Sequence, residues 1–335
     1  MMTNDKKLSR LSFWIAMTMI IHMAMFQVLG ASAVMLESVL YGVMNTEATA
    51  HIIGQSIYAL CYFLSFAVPT WIFCGVAHRR EEYRKGFYRG GIPASLPLIV
   101  LAVIALNFVA AYVNQAVLLE LFPDAWGETS VGPYRDYEII MMIVTTAVVP
   151  AIVEEMLFRG AILSNLLPFG RSMAILASAV LFGLMHGNPL QFFYTTLMGV
   201  VLGVIYVKTK SIYVCMIIHF LNNFTSIMQT VLLQIPDQNL GNGWYMGIEV
   251  VILVTGALSL LYFLRRYLRR PHPEQNGSFG TVLEPHADYA VYPVTRGKRL
   301  TLLFSPAMIV YVILALAMMA LVLFGMVLAG GISYV

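Results

Sequence analysis

Three short stretches carry side chains that could do chemistry, and all three lie in apolar surroundings. The run VVPAIVEEMLFRGAIL holds Glu154, Glu155 and Arg159. On a helix, Glu155 and Arg159 are one turn apart on one face and can pair, while Glu154 is rotated by about 100° and stays free of that pair. The run LFGLMHGNP places Phe182 and His186 one turn apart, and Gly187 and Pro189 end the helix just beyond. The run SIYVCMIIHFLNNF places His219 and Asn223 on one face, with Asn222 pointing elsewhere. Ionisable groups in hydrocarbon are costly and usually functional. Each stretch alone has a structural explanation: a buried ion pair, a helix-end histidine, or a hydrogen-bonding stitch between helices.

Depth separates these readings. Counted from the cytoplasmic end of each helix at about 1.5 Å per residue, Glu154, His186 and Asn223 lie roughly 18–21 Å in, and His219 about 12 Å in. A carboxylate, two imidazoles and a carboxamide therefore reach overlapping levels. That is a poor way to gain stability and a good way to move protons and hold developing charge. Gly199 and Gly203 lie one turn apart on the intervening helix and let helices pack closely beside these groups.

The elements that must position them follow from composition. The chain has 335 residues, of which 59% are hydrophobic and 11% charged. A globular chain carries about 25% charged residues, so a soluble enzyme and a disordered chain are both excluded. The fold class expected is all-α, a polytopic membrane protein. Long apolar runs mark about nine transmembrane helices, at 11–43, 52–77, 95–121, 138–167, 172–186, 190–207, 211–234, 244–264 and 301–329. The fifth run is short, about 22 Å, and needs shielding by its neighbours. Lys6, Lys7 and Arg10 precede the first run, which is too long for a signal-peptide core and reads as a retained span.

Basic residues gather at the N-terminus, at Arg79 to Arg89, at Arg171, at Lys208 and Lys210, and at Arg265 to Arg270, whereas the intervening loops carry almost none. Nine spans with the N-terminus cytoplasmic put every basic loop on the cytoplasmic face and the C-terminus outside. The chain divides into residues 1–137 (the first three helices with a cytoplasmic basic loop at 78–91), a catalytic core at 138–234, and residues 235–335 (the last two helices with a polar cytoplasmic linker at 271–300). His272 and His286 in that linker read as solvated, and His22 as a helix–helix hydrogen bonder. Glu37 and Glu249, near span ends, are expected to reach water. Trp14, Trp71 and Trp244 fall near the interfaces, where indoles anchor. The three cysteines form no metal or disulfide pattern. The net charge of +3 is too small to imply nucleic acid, and the lipid bilayer is the partner that composition demands.

The set Glu-Glu-x-x-x-Arg (154–159), Phe-x-x-x-His (182–186) and His-x-x-x-Asn (219–223) resembles the CPBP family of intramembrane proteases. This is the CAAX-protease and bacteriocin-processing (ABI) group, related to the eukaryotic prenyl-protein endopeptidase. The resemblance covers about a fifth of the chain and implies hydrolysis of a peptide bond in a membrane-associated protein or peptide. It implies that Glu154 and His186 activate water and that His219 and Asn223 stabilise the oxyanion. Glu155 and Arg159 then support the site by pairing, and Phe182 packs beside it. The family is usually labelled a metalloprotease, so zinc is open, with Glu154, His186 and His219 as its ligands. No HExxH is present, and the reading preferred here is metal-free. Two alternatives to a protease remain: an ion- or proton-coupled transporter, and a catalytically silent immunity or interaction member of the same family. The expected location is an integral multi-pass membrane protein, in the plasma membrane if the host is prokaryotic.

Overall fold

The structure is a computed structural model that describes residues 3–77, 90–121, 134–235, 237–268 and 305–328. The basic segment 78–89, most of the loop 122–137 and the linker 271–300 with His272 and His286 lie outside the described residues. The apolar runs form helices α1 (Asn4–Val43), α2 (Glu47–Ala77), α3 (Leu96–Leu121), α4 (Asp136–Phe169), α5 (Arg171–Met185), α6 (Pro189–Thr209), α7 (Ile212–Leu233), α8 (Gln238–Leu268) and α9 (Pro306–Leu328). Among the described residues there is no strand. Eight of these helices are long and apolar enough to cross a membrane, and α5, with 15 residues, is the short one. The chain is an integral, multi-pass membrane protein.

Local chemistry sets the helix ends. Thr3 caps α1 by accepting from the Lys6 amide, so the helix starts before the apolar run does. Gly170 between α4 and α5 sits at φ 146°, and Gly187 after α5 at φ 59°, a left-handed conformation that glycine adopts without strain. Asn188 then caps α6 through the Leu190 amide at 2.9 Å, with Pro189 at the first helical position.

The fourth helix is not one regular element. Two π-helical stretches, Ile143–Val148 and Met156–Leu163, flank an α-helical stretch, Val149–Glu155. Pro150 supplies a reason for the first: it has no N–H to return to the Thr146 carbonyl four residues earlier. The expected helix over 138–167 is therefore present but rewound on both sides of the two glutamates.

α4 is also the centre of the bundle. Residues from Leu157 to Leu163 are all buried, and α2, α5, α6 and α7 pack against it. Close helix approach beside it depends on glycine. A Cβ built on Gly199 of α6 would stand 2.9 Å from the Ala179 Cα of α5, and one on Gly203 would stand 3.2 Å from Ile175. These contacts shield the inner face of α5, while its Leu176 and Val180 stay exposed on the outer face. His22 stitches α1 to α2 by donating from Nδ1 to the Ser65 carbonyl at 3.0 Å.

Three outlying groups have surroundings that the sequence did not specify. Glu37 is not simply solvated: it pairs with His51 at 3.1 Å and accepts from Gln55 at 3.0 Å. Glu249 accepts from the Tyr112 hydroxyl. Trp14 packs against the core, whereas Trp71 and Trp244 are exposed.

Candidate active site

The two adjacent glutamates are buried almost completely, Glu154 at 3% exposure and Glu155 at 0%, yet they have different partners. Glu155 Oε1 accepts from the Arg159 guanidinium at 2.8 Å and from His219 Nδ1 at 2.8 Å. Arg159 is itself buried and also donates to the Gly199 carbonyl at 3.3 Å. Gly199 thus serves twice: its lack of a side chain lets α5 approach, and its carbonyl accepts from the guanidinium. Phe182 covers the other side of the arginine, with the guanidinium carbon 4.7 Å from the ring centroid.

Glu154 stands outside this ion pair, as its rotation about the helix requires. Its Oε1 accepts from the Tyr62 hydroxyl of α2 at 2.6 Å. Its Oε2 is buried, has no hydrogen-bond partner, and lies 4.0 Å from His219 Nε2. A buried carboxylate oxygen left open in this way costs stability and is the group available to a reacting molecule.

The histidines are held by their inner nitrogens. His186 Nδ1 lies 2.8 Å from the Phe182 carbonyl, which can only accept, so Nδ1 carries the proton and a neutral ring keeps its lone pair on Nε2. His186 lies within electrostatic reach of Glu154 and His219. Phe182 stacks edge-on against both imidazoles, with centroids 5.0 and 5.9 Å away. α4, α5 and α7 therefore bring Glu154, Glu155, Arg159, Phe182, His186 and His219 into one cluster.

Asn223 joins it differently. Its Nδ2 donates to the Thr146 carbonyl at 2.9 Å, the oxygen opposite the missing proline N–H. One amide hydrogen of Asn223 remains beyond that bond. Asn222, expected to point elsewhere, is buried and donates to Asn223 Oδ1 at 3.4 Å. Tyr62 was missed by sequence reasoning, because it is one of 18 tyrosines and stands in an ordinary apolar span.

A zinc site built from Glu154, His186 and His219 can be tested on this donor set. Two ligands of a tetrahedral zinc, each at about 2.0–2.2 Å from it, stand about 3.3–3.6 Å apart, and the 4.0 Å between Glu154 Oε2 and His219 Nε2 is wider than that. A third donor does not converge. Among the described residues, no three His, Cys, Asp or Glu side chains are grouped so as to hold a metal. The residues as arranged do not fit a three-ligand centre.

Fold and site together define a multi-pass membrane protein with a carboxylate–imidazole cluster buried at the middle of its helix bundle. Residues 136–225, which hold every element of that cluster except Tyr62, match the family model of the Rce1-like type II CAAX prenyl endopeptidases. The chain is also similar to the "Putative membrane peptidase YdiL" of Bacillus subtilis (strain 168), 30% identical over 153 residues. That likeness covers 43% of this chain and 62% of the relative's length. Together the two likenesses make the 136–225 core similar to the CAAX-type membrane peptidases. No solved structure matches the chain.

Proposed function

We propose that the chain is an intramembrane endopeptidase that hydrolyses a peptide bond in a membrane-associated protein or peptide. The observation that carries this reading is the open oxygen of Glu154. A carboxylate held from one side by Tyr62, with its other oxygen buried and unpartnered beside two imidazoles, is arranged to receive a water and take its proton. The family match supports the same reaction class.

In this mechanism a water, held by a hydrogen bond to His186 Nε2, attacks the scissile carbonyl and gives one proton to Glu154, and that proton passes to the leaving amine as the C–N bond breaks. His219 Nε2 and the second amide hydrogen of Asn223 donate to the tetrahedral oxyanion. Because His219 Nδ1 already donates to Glu155, donation from Nε2 requires the doubly protonated ring. In that state Glu154, Glu155, Arg159 and His219 sum to zero charge, the balance a low-dielectric site favours. Glu155 and Arg159 position His219 and do not touch the substrate. Tyr62 and Phe182 orient Glu154 and His186. No step passes through a metal.

Purified wild-type protein and its Glu154→Ala and His186→Ala variants, each incubated with a candidate substrate, test the proposal. Cleavage by the wild type alone is expected. Cleavage that persists in both variants would remove the assignment, and an ion flux abolished by Glu154→Gln would favour a transporter. A trapping pull-down with Glu154→Ala would name the substrate, including whether it is prenylated.

A further inference from the structure

A second feature lies away from the catalytic cluster, at the end of the bundle where α6 and α8 finish and α3 begins. There a cavity of about 450 Å³ opens between the three helices. Its origin is geometric. α3 and α8 meet tightly higher up, where a Cβ built on Gly256 would stand 2.3 Å from Ala105 Cβ and 2.6 Å from the Leu101 carbonyl. From that contact to the helix ends, a wedge remains open beside α6. Ile99, Ala102, Val204 and Phe263 form apolar walls, and Lys208 and Arg266, each in the last turn of its helix, stand at the rim. Among the described residues that line the cavity none is acidic. Arg266 donates to the neutral hydroxyl of Tyr262 at 3.2 Å.

We propose that this wedge is a binding site for an anionic phospholipid of the surrounding bilayer, with an acyl chain against the apolar walls and the headgroup phosphate between Lys208 and Arg266. The chemistry of the lining selects that occupant. A soluble anion would leave the apolar walls unfilled, and an uncharged lipid would leave two rim cations without a counter-charge among the described lining residues. Basic pockets between transmembrane helices commonly accept anionic headgroups in this way. The volume falls in the range of sites that enclose small amphiphiles. The cavity shares no residue with the catalytic cluster, so the proposal stands independently of the proteolytic reading.

The test is native mass spectrometry of the whole purified protein after exposure to mixed micelles of phosphatidylglycerol and phosphatidylcholine with identical chains. Two rim cations, at the attraction usual for one basic residue near an anionic surface, give a preference of about 30-fold for phosphatidylglycerol, about fivefold for each. Lys208→Gln with Arg266→Gln is expected to bring the ratio close to one. Val204→Phe keeps both charges but fills the wedge, and is expected to reduce retention of both lipids. Should that variant fail to fold, Ile99→Phe fills the same space from another helix. A wild-type ratio near one overturns the proposal. So does undiminished retention in a folded cavity-filling variant, which would reduce the effect to surface charge. A lipid-free dimer mass would also overturn it, and would assign the wedge to a second copy of the chain.

Discussion

Glu154 and Glu155 are neighbours in sequence and equally buried, yet replacing each by glutamine should have opposite consequences. Among the described residues Glu155 is the only carboxylate hydrogen-bonded to the buried Arg159, and it also holds His219 Nδ1. Glu155→Gln keeps the shape but removes the counter-charge of a guanidinium that cannot release its proton. Breaking a buried ion pair from one side costs about 3–5 kcal/mol, a large part of the roughly 5–15 kcal/mol that holds a domain together. At about 2 °C per kcal/mol for a chain of this size, Tm should fall by roughly 6 °C or more. Glu154→Gln should behave differently. The Tyr62 hydroxyl can still donate to the amide oxygen, the open Oε2 position had no partner to lose, and His219, unlike an arginine, can give up a proton. Its Tm should stay within about 2 °C, given an effect near 1 kcal/mol, while cleavage is abolished. Thermal melts in detergent followed by tryptophan fluorescence, run beside a cleavage assay, read both quantities. A Glu155→Gln protein as stable as wild type, or a Glu154→Gln protein destabilised as much as Glu155→Gln, would refute the division of roles.

Other outcomes follow from single contacts. Tyr62→Phe removes a hydrogen bond to a charged acceptor, worth about 1.5–3 kcal/mol, so kcat/KM should fall roughly 10- to 100-fold if that bond orients Glu154; unchanged kinetics would show the tyrosine to be mere packing. Asn223→Ala loses the bond to the Thr146 carbonyl, which within a membrane costs only about 0.6 kcal/mol, so turnover should drop at nearly constant Tm. Aggregation of that variant would instead give Asn223 a structural role. Purified protein is expected to keep its cleavage activity after chelator treatment, as measured beside its metal content; stoichiometric zinc with activity lost to chelator and restored by zinc would overturn the metal-free reading.

Much of this architecture was legible in the sequence because hydrocarbon makes charge scarce. Among the described residues all nine helices occur where long apolar runs stand, and those runs predict α2, α3, α6 and α7 to within a few residues at most ends. The larger misses have local causes. α8 begins at Gln238, before the apolar run, because the Asp237 side chain accepts from the amides of Asn239 and Leu240 and so carries a polar first turn. The same holds at Thr3 for α1.

The chemical groups were legible for a different reason. An i, i+4 spacing is a geometric statement about one helix, and the Glu155–Arg159 bond obeys it directly. The bonds between helices were not legible. Nothing in the sequence aims Tyr62 at Glu154 or Arg159 at the Gly199 carbonyl, because both depend on helix rotations that packing decides. The π-helical turns were also missed, although Pro150 was a visible signal. A proline inside an apolar span frees the carbonyl four residues before it, and Asn223 on a neighbouring helix uses that oxygen.

If Glu154 activates water for peptide-bond hydrolysis, each cleavage must leave a solvent oxygen in the product. The most direct measurement incubates the purified protein with membrane proteins in water labelled with oxygen-18 and sequences the new C-termini by mass spectrometry. One labelled oxygen is expected at each new C-terminal carboxylate with wild type, and no new C-termini with Glu154→Gln, whose fold is expected to be intact by thermal melt. Labelled termini that form equally well with folded Glu154→Gln would contradict that role of Glu154.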